Sequence, residues 1–182
     1  MATPPDFVAG SVLTAAQMNS VGLWLVKSQT VGSAVSSVIV TDAFSADYNN
    51  YVITFEDVTT SGGNVFLTMQ MRTGTTTSTA SYYASVPYLT YGAAAGNFNV
   101  NNGASFTAAQ RSLSAVKTSF SINIYAPFLA SRTLYNSFSA AGDLAYSGSG
   151  FHDVATSYDQ VVFTPASGTL TGGAIKVYGL RD

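Results

Sequence analysis

The sequence predicts an all-β chain: an antiparallel β-sandwich, jelly-roll-like, of about eight strands, preceded by a short N-terminal arm with one helix. Three observations predict it. Short segments alternate apolar and polar residues with period two. Clusters of Gly, Asn, Asp and Ser punctuate them. Helical signal is nearly confined to the start of the chain.

Residues 1–30 read as the arm, and 31–182 as the sandwich. Pro4-Pro5 favours an extended start. Thr14-Ala15-Ala16-Gln17 fits a capping box, with Thr14 as N-cap and Gln17 three residues later. A short helix is expected from about Ala15 to about Val21, stopping near Gly22, with Leu13, Met18 and Val21 on one side. Trp24, the one tryptophan, follows. Phe7, Val8, Val12, Leu13, Met18, Leu23 and Trp24 give this arm more apolar surface than a solvated tail would expose. The competing expectation is that it packs back on its own sandwich or on sister subunits.

Strand signals begin at Val35–Val40. Tyr51–Val58 alternates with Tyr51, Ile53 and Phe55 on one face. In Asn64–Arg72, Val65, Leu67, Met69 and Met71 oppose Phe66, Thr68, Gln70 and Arg72. Phe120, Ile122 and Ile124 share a face, Leu134 and Phe138 lie in a further strand, Asp159–Thr164 is apolar and ends at Pro165, and Ala174–Leu180 closes the chain. Ser61-Gly62-Gly63-Asn64 reads as a hairpin turn, and Asn101-Asn102-Gly103 and Gly172-Gly173 as further turns. A second helical stretch, Thr107 to Val116, echoes the capping box. Thr73–Ser81, nearly all Thr and Ser, reads as an exposed loop or irregular edge.

Composition bounds the function. Of 182 residues, 47% are hydrophobic, enough for a core, but 9% are charged, against about 25% ordinarily. Twenty-three serines and 21 threonines cover the surface instead. So few charges, with a net charge of −2, give little colloidal repulsion and point to an obligate assembly. The seven Lys and Arg are scattered, which argues against nucleic-acid binding by phosphate neutralisation. The start, Met1-Ala2-Thr3-Pro4-Pro5-Asp6, does not read as a signal peptide, and the apolar run Leu23–Val26 is far too short for membrane insertion.

Catalytic chemistry finds few residues. The chain has no cysteine and one histidine, which leaves a transition-metal site short of ligands. His152-Asp153 would need a nucleophile elbow that no Gly-x-Ser-x-Gly supplies, so it reads as a loop histidine beside a flexible Gly148-Ser149-Gly150 turn. Asp42, Asp47, Glu56 and Asp57 lack EF-hand spacing. No glycine motif cradles a phosphate. No enzyme and no cofactor are expected. Tyr82, Tyr83, Tyr88 and Tyr91, on a Thr/Ser-rich stretch, form the candidate receptor or partner contact, because tyrosine joins a rigid apolar face to a polar tip. The alternative for them is ordinary core and edge packing.

Asp6-Phe-Val-Ala-Gly-Ser-Val-Leu-Thr-Ala-Ala-Gln-Met-Asn-Ser20 resembles the opening of tailed-bacteriophage fibre and appendage proteins. Gly168-Thr-Leu-Thr-Gly-Gly-Ala-Ile-Lys-Val-Tyr-Gly-Leu-Arg181 resembles the closing strand of small phage virion proteins. Tyr48–Val58 and Leu67–Arg72 are similar in style. The resemblance implies a virion protein: a short tail fibre or receptor-binding tip, attached to other virion proteins by its arm, homo-oligomeric as a trimer, with a host cell-surface glycan as candidate partner. Lacking a long shaft after the arm, the chain would be a stub, which leaves open a capsid decoration or cement protein. A lectin-like carbohydrate-binding module of a secreted protein is the alternative from another class.

Overall fold

The computed structural model describes residues 22–63, 65–92, 94–112, 116–141 and 144–180, with Gly10 and Val12. Within them the chain is all β. The strands are β1 (Leu23–Thr30), β2 (Val38–Val40), β3 (Asn50–Thr60), β4 (Val65–Thr73), β5 (Thr76–Thr77), β6 (Tyr82–Thr90), β7 (Ala95–Gly103), β8 (Phe106–Ser112), β9 (Thr118–Tyr125), β10 (Thr133–Ala141), β11 (Leu144–His152), β12 (Gln160–Pro165), β13 (Leu170–Thr171) and β14 (Ala174–Leu180). A nine-stranded sheet runs β1-β14-β3-β9-β10-β11-β6-β7, with β13 also on β3. A five-stranded sheet runs β2-β12-β4-β5, with β8 also on β4. Every pairing is antiparallel.

The two sheets form a sandwich because each presents one apolar face. Tyr51, Ile53 and Phe55 of β3, Ile122 and Ile124 of β9, and Ile175 and Val177 of β14 come from the large sheet. Leu67, Met69 and Met71 of β4, and Val161 and Phe163 of β12, meet them from the small one. Phe55 stacks on Phe120 at 4.2 Å and meets Phe163 edge-on at 4.7 Å. Burying each such side chain contributes about 1.5–3 kcal/mol. A smaller cluster of Val86, Leu144 and Tyr146, with Phe66, Tyr88 and Phe98 against it, fills the far end.

Several expectations are corrected. Leu23–Thr30 is a sheet strand, paired from Leu23↔Leu180 to Thr30↔Ala174. The arm therefore cannot extend to residue 30, and the sheet begins at Leu23. A bulge between Leu25 and Lys27 breaks the alternation that would have marked this strand. Leu23 is exposed and Trp24 half-buried within it. The expected helix lies outside the described residues, as do Phe7, Val8, Leu13 and Met18; Val12 is exposed. Thr107 to Ser112 is not helical but belongs to β8, on the edge of β4. The expected hairpin between β3 and β4 does not form: β3 lies in one sheet and β4 in the other, so the connection crosses between them. Gly148-Ser149-Gly150 is interior to β11. More strands are present than the expected eight because β5, β6, β7, β8, β11 and β13 carried weak or turn-like signals.

The Gly172-Gly173 turn does occur, between β13 and β14, which pair with successive stretches of β3. Gly173 has φ +74°, and a Cβ there would run into the Glu56 carbonyl oxygen. Only glycine fits that approach.

Candidate binding face on the large sheet

The order β9-β10-β11-β6-β7 places five strands side by side, and none of the five contains Asp, Glu, Lys or Arg. The four ion pairs of the described residues, Lys27–Asp42, Lys117–Asp57, Arg132–Asp153 and Lys176–Glu56, all involve residues outside these strands. The register fixes which side chains share the outer face. Tyr83, Ser85 and Leu89 of β6 lie opposite Phe151, Ser149 and Ala145 of β11. Leu134, Asn136 and Phe138 of β10 lie opposite Phe151, Ser149 and Ser147. Phe138 is 68% exposed, Leu89 60% and Leu134 47%, an apolar display that water does not favour.

Two troughs indent this face. One, of about 370 Å³, lies at the Leu89 end and is lined by Pro87, Tyr88, Leu89, Ala95, Phe138, Ala145, Tyr146 and Ser147. The other, of about 350 Å³, is lined by Tyr83, Ala84, Ser85, Val100, Ser149, Gly150 and Phe151. There the rings of Tyr83 and Phe151 stack at 4.9 Å and 18°. The Arg132 guanidinium sits 4.4 Å from the Phe151 ring centre. Its Nε and Nη2 both donate to Asp153 Oδ1, at 2.9 and 2.8 Å. The polar groups nearby are also held. Asn97 accepts from Val86 N at 3.1 Å and donates to Asn99 at 2.8 Å. Asn123 donates to Asn136, and Asn136 to the Tyr125 hydroxyl, at 2.7 and 3.0 Å. Side chains tied in this way lose little freedom on binding.

The four tyrosines singled out in the sequence do not converge. Tyr82 and Tyr83 are neighbours on a strand, so they face opposite sides of the sheet. Tyr82 is fully buried, which removes it as a surface contact: its hydroxyl accepts from Met71 N at 2.8 Å and donates to the Ser78 carbonyl at 3.2 Å. Burial holds that hydroxyl protonated, its pKa well above the usual tyrosine value. Tyr88 stacks on Phe98 at 4.9 Å within the second cluster. Tyr91, past the end of β6, is 69% exposed. Of the four, Tyr83 alone lines the polar trough. Its partner Phe151 and the clamp Arg132 were missed, although period-two counting back from Leu144 and Tyr146 puts Phe151 on the outer face.

His152 is not a loop residue. It is the last residue of β11 and fully buried. Its Nδ1 donates to the Ser81 carbonyl at 3.2 Å, and its Nε2 accepts from the Tyr158 hydroxyl at 2.8 Å. The ring stacks on Tyr82 at 4.1 Å. Burial lowers its pKa, opposed by the Ser81 hydrogen bond and the nearby Asp153 charge. The ring is enclosed by Tyr82 and Tyr158. Among the described residues no three His, Asp or Glu side chains gather as metal ligands would.

A scan against protein-family models matches none of them, and a search of the curated proteins finds no match.

Proposed function

We propose that this chain is a non-enzymatic structural subunit of a tailed-phage particle, a short tail fibre or receptor-binding tip that works as a homo-oligomer. The observation that carries the reading is the uncharged run of five strands with Phe138, Leu89 and Leu134 exposed on it. A face of that chemistry is covered in use, and a neutral sister subunit covers it without stranding a charge. The likeness of Asp6–Ser20 to phage appendage openings supplies the particle, and a trimer is the oligomer that likeness implies. The anchor falls to residues 1–21, with Phe7, Val8, Leu13 and Met18 as its apolar contacts, since Leu23 and Trp24 are committed to β1.

Imaging phage particles that carry a tagged chain tests this. The expected result is label at the tail tip, lost when residues 2–21 are deleted while the sandwich still folds. Label over the whole head moves the protein to capsid decoration. A chain that never enters particles refutes the reading.

A further inference from the structure

We propose that the trough beside Tyr83 and Phe151 is a saccharide subsite that takes one neutral hexose unit of a glycan chain. The inference deepens the receptor-binding reading above and rests on it for the source of the glycan.

Four features of the trough favour a sugar over other ligands. The first is the aromatic wall. Tyr83 and Phe151 are half-buried and already stacked, and Arg132, itself fixed by Asp153, holds the Phe151 ring from the β10 side. With Phe151 covered by Tyr83 on one side and Arg132 on the other, the ring face left for the C–H face of a pyranose is that of Tyr83, and a ring already ordered by its stack loses little further entropy on contact. Polar lining is the second feature. Ser85 and Ser149 are paired in register across β6 and β11 and both line the trough. Asn97 lies within 3.3 Å of the Ser85 hydroxyl. Hydroxyl and amide groups exchange hydrogen bonds with sugar hydroxyls in either direction.

Charge is the third. Arg132, on the Phe151 ring, is paired with Asp153, and none of the strands that line the trough carries a charged residue. An anionic sugar would have to compete with Asp153 for that cation, whereas a neutral one does not need it. Size is the last. About 350 Å³ sits at the small end of ligand sites, which run from about 300 to 1,000 Å³. The Leu89–Phe138 trough is similar in size and equally uncharged, but its lining is mostly apolar, with Ser147 beside Pro87, Leu89, Ala95, Phe138 and Ala145, which suits a protein side chain better than a polyol.

A cross-strand aromatic pair also stabilises a sheet by itself, by about 0.2–1 kcal/mol. Loss of stability in a Tyr83 variant therefore does not identify a sugar site, and saturable binding does. The test is a titration of the full-length, isotope-labelled protein with methyl α-glucoside, methyl β-galactoside, N-acetylglucosamine and maltotriose, followed by amide NMR shifts. N-acetylneuraminic acid serves as the anionic comparison. The expected result is saturable shifts at millimolar sugar, centred on Tyr83, Ser85, Ser149 and Phe151, for at least one neutral probe. Tyr83→Ala should weaken it at least about tenfold, equivalent to about 1.4 kcal/mol. Ser149→Val, at an exposed strand position that a β-branched residue suits, should abolish it with an unchanged melting curve. Tyr91→Ala should leave it intact. No saturable shift with any neutral probe overturns the proposal. So does binding centred elsewhere, binding indifferent to Tyr83→Ala and Ser149→Val, or a preference for the anionic sugar. A protein that joins phage tails but binds none of these sugars loses only this inference; one that binds them but never enters particles loses the parent reading instead.

Discussion

Replacing Tyr82 with phenylalanine isolates one oxygen atom that ties the two sheets together. Tyr82 belongs to β6 of the large sheet, and Met71 to β4 of the small one. The Tyr82 hydroxyl accepts from Met71 N at 2.8 Å and donates to the Ser78 carbonyl. Phenylalanine keeps the ring, its stack on His152 and its edge contact with Phe106 at 4.8 Å. What it removes is the partner of a backbone N–H on a fully buried residue, Met71. Leaving such a donor unsatisfied costs about 1–3 kcal/mol. For a chain of this length each kcal/mol moves the melting midpoint by about 2–4 °C. The expected drop is therefore about 2–12 °C, read by calorimetry at neutral pH. Tyr82→Ala, which also empties the ring volume, should cost about 3–5 kcal/mol. A Tyr82→Phe melting point within about 1 °C of the parent would refute the cross-sheet tie.

Two further outcomes follow from the same packing. Because burial lowers the His152 pKa, the unfolded chain takes up the proton first. The histidine's contribution should be complete above about pH 6.5 and decline as the pH falls below it, by at most about 1.4 kcal/mol per pH unit. Urea midpoints measured across that range should show the decline, and His152→Gln should flatten it; an equal slope in both proteins would sink the assignment. Phe138→Asp combined with Leu89→Asp places two charges on the exposed apolar face and should convert the proposed oligomer to monomers in sedimentation with the circular dichroism retained. An unchanged oligomer would move the subunit interface elsewhere.

How far the fold was legible depended on whether a strand buries one clean face. In β3 from Tyr51 to Phe55 and in β4 from Val65 to Met71, large apolar residues occupy every second position and are buried at each of them. Their signal is strong because the physical cause, one face against the core, acts on each residue in turn. β11 carries the same pattern in disguise. Its inner face reads Leu144, Tyr146, Gly148, Gly150 and His152, two of them glycines. A Cβ on Gly150 would run into the Tyr83 carbonyl oxygen and stand 2.8 Å from the Tyr135 ring. The glycine that looks like a turn is there so that Tyr135 and β6 can approach. In β8, Thr107-Ala-Ala-Gln is a local helix signal, yet the edge of β4 takes it as a strand, tertiary pairing overriding propensity. The candidate face was less legible still, because Tyr83 of β6, Phe151 of β11 and Arg132, just before β10, meet although no spacing along the chain brings them together.

The sheet treats its two ends differently, and that difference bears on how the molecule assembles. At one end β1 has a bulge after Leu25 and carries Lys27, ion-paired to Asp42. A bulge and a lysine both discourage another chain from pairing with an edge. At the other end β7 is nine residues long with neither charge nor proline, and among the described residues it pairs with β6 alone. Beside it lies the uncharged outer face. A monomer would present both to any sister chain, so self-association is the expected state and the uncharged end is where it should occur. The two troughs divide that end between them. Tyr83 and Leu89 are six residues apart on β6, about 20 Å along a strand. A subunit seated on Leu89 and Phe138 can therefore leave the Tyr83–Phe151 trough open, so the proposed oligomer contact and the proposed glycan subsite are compatible on one face.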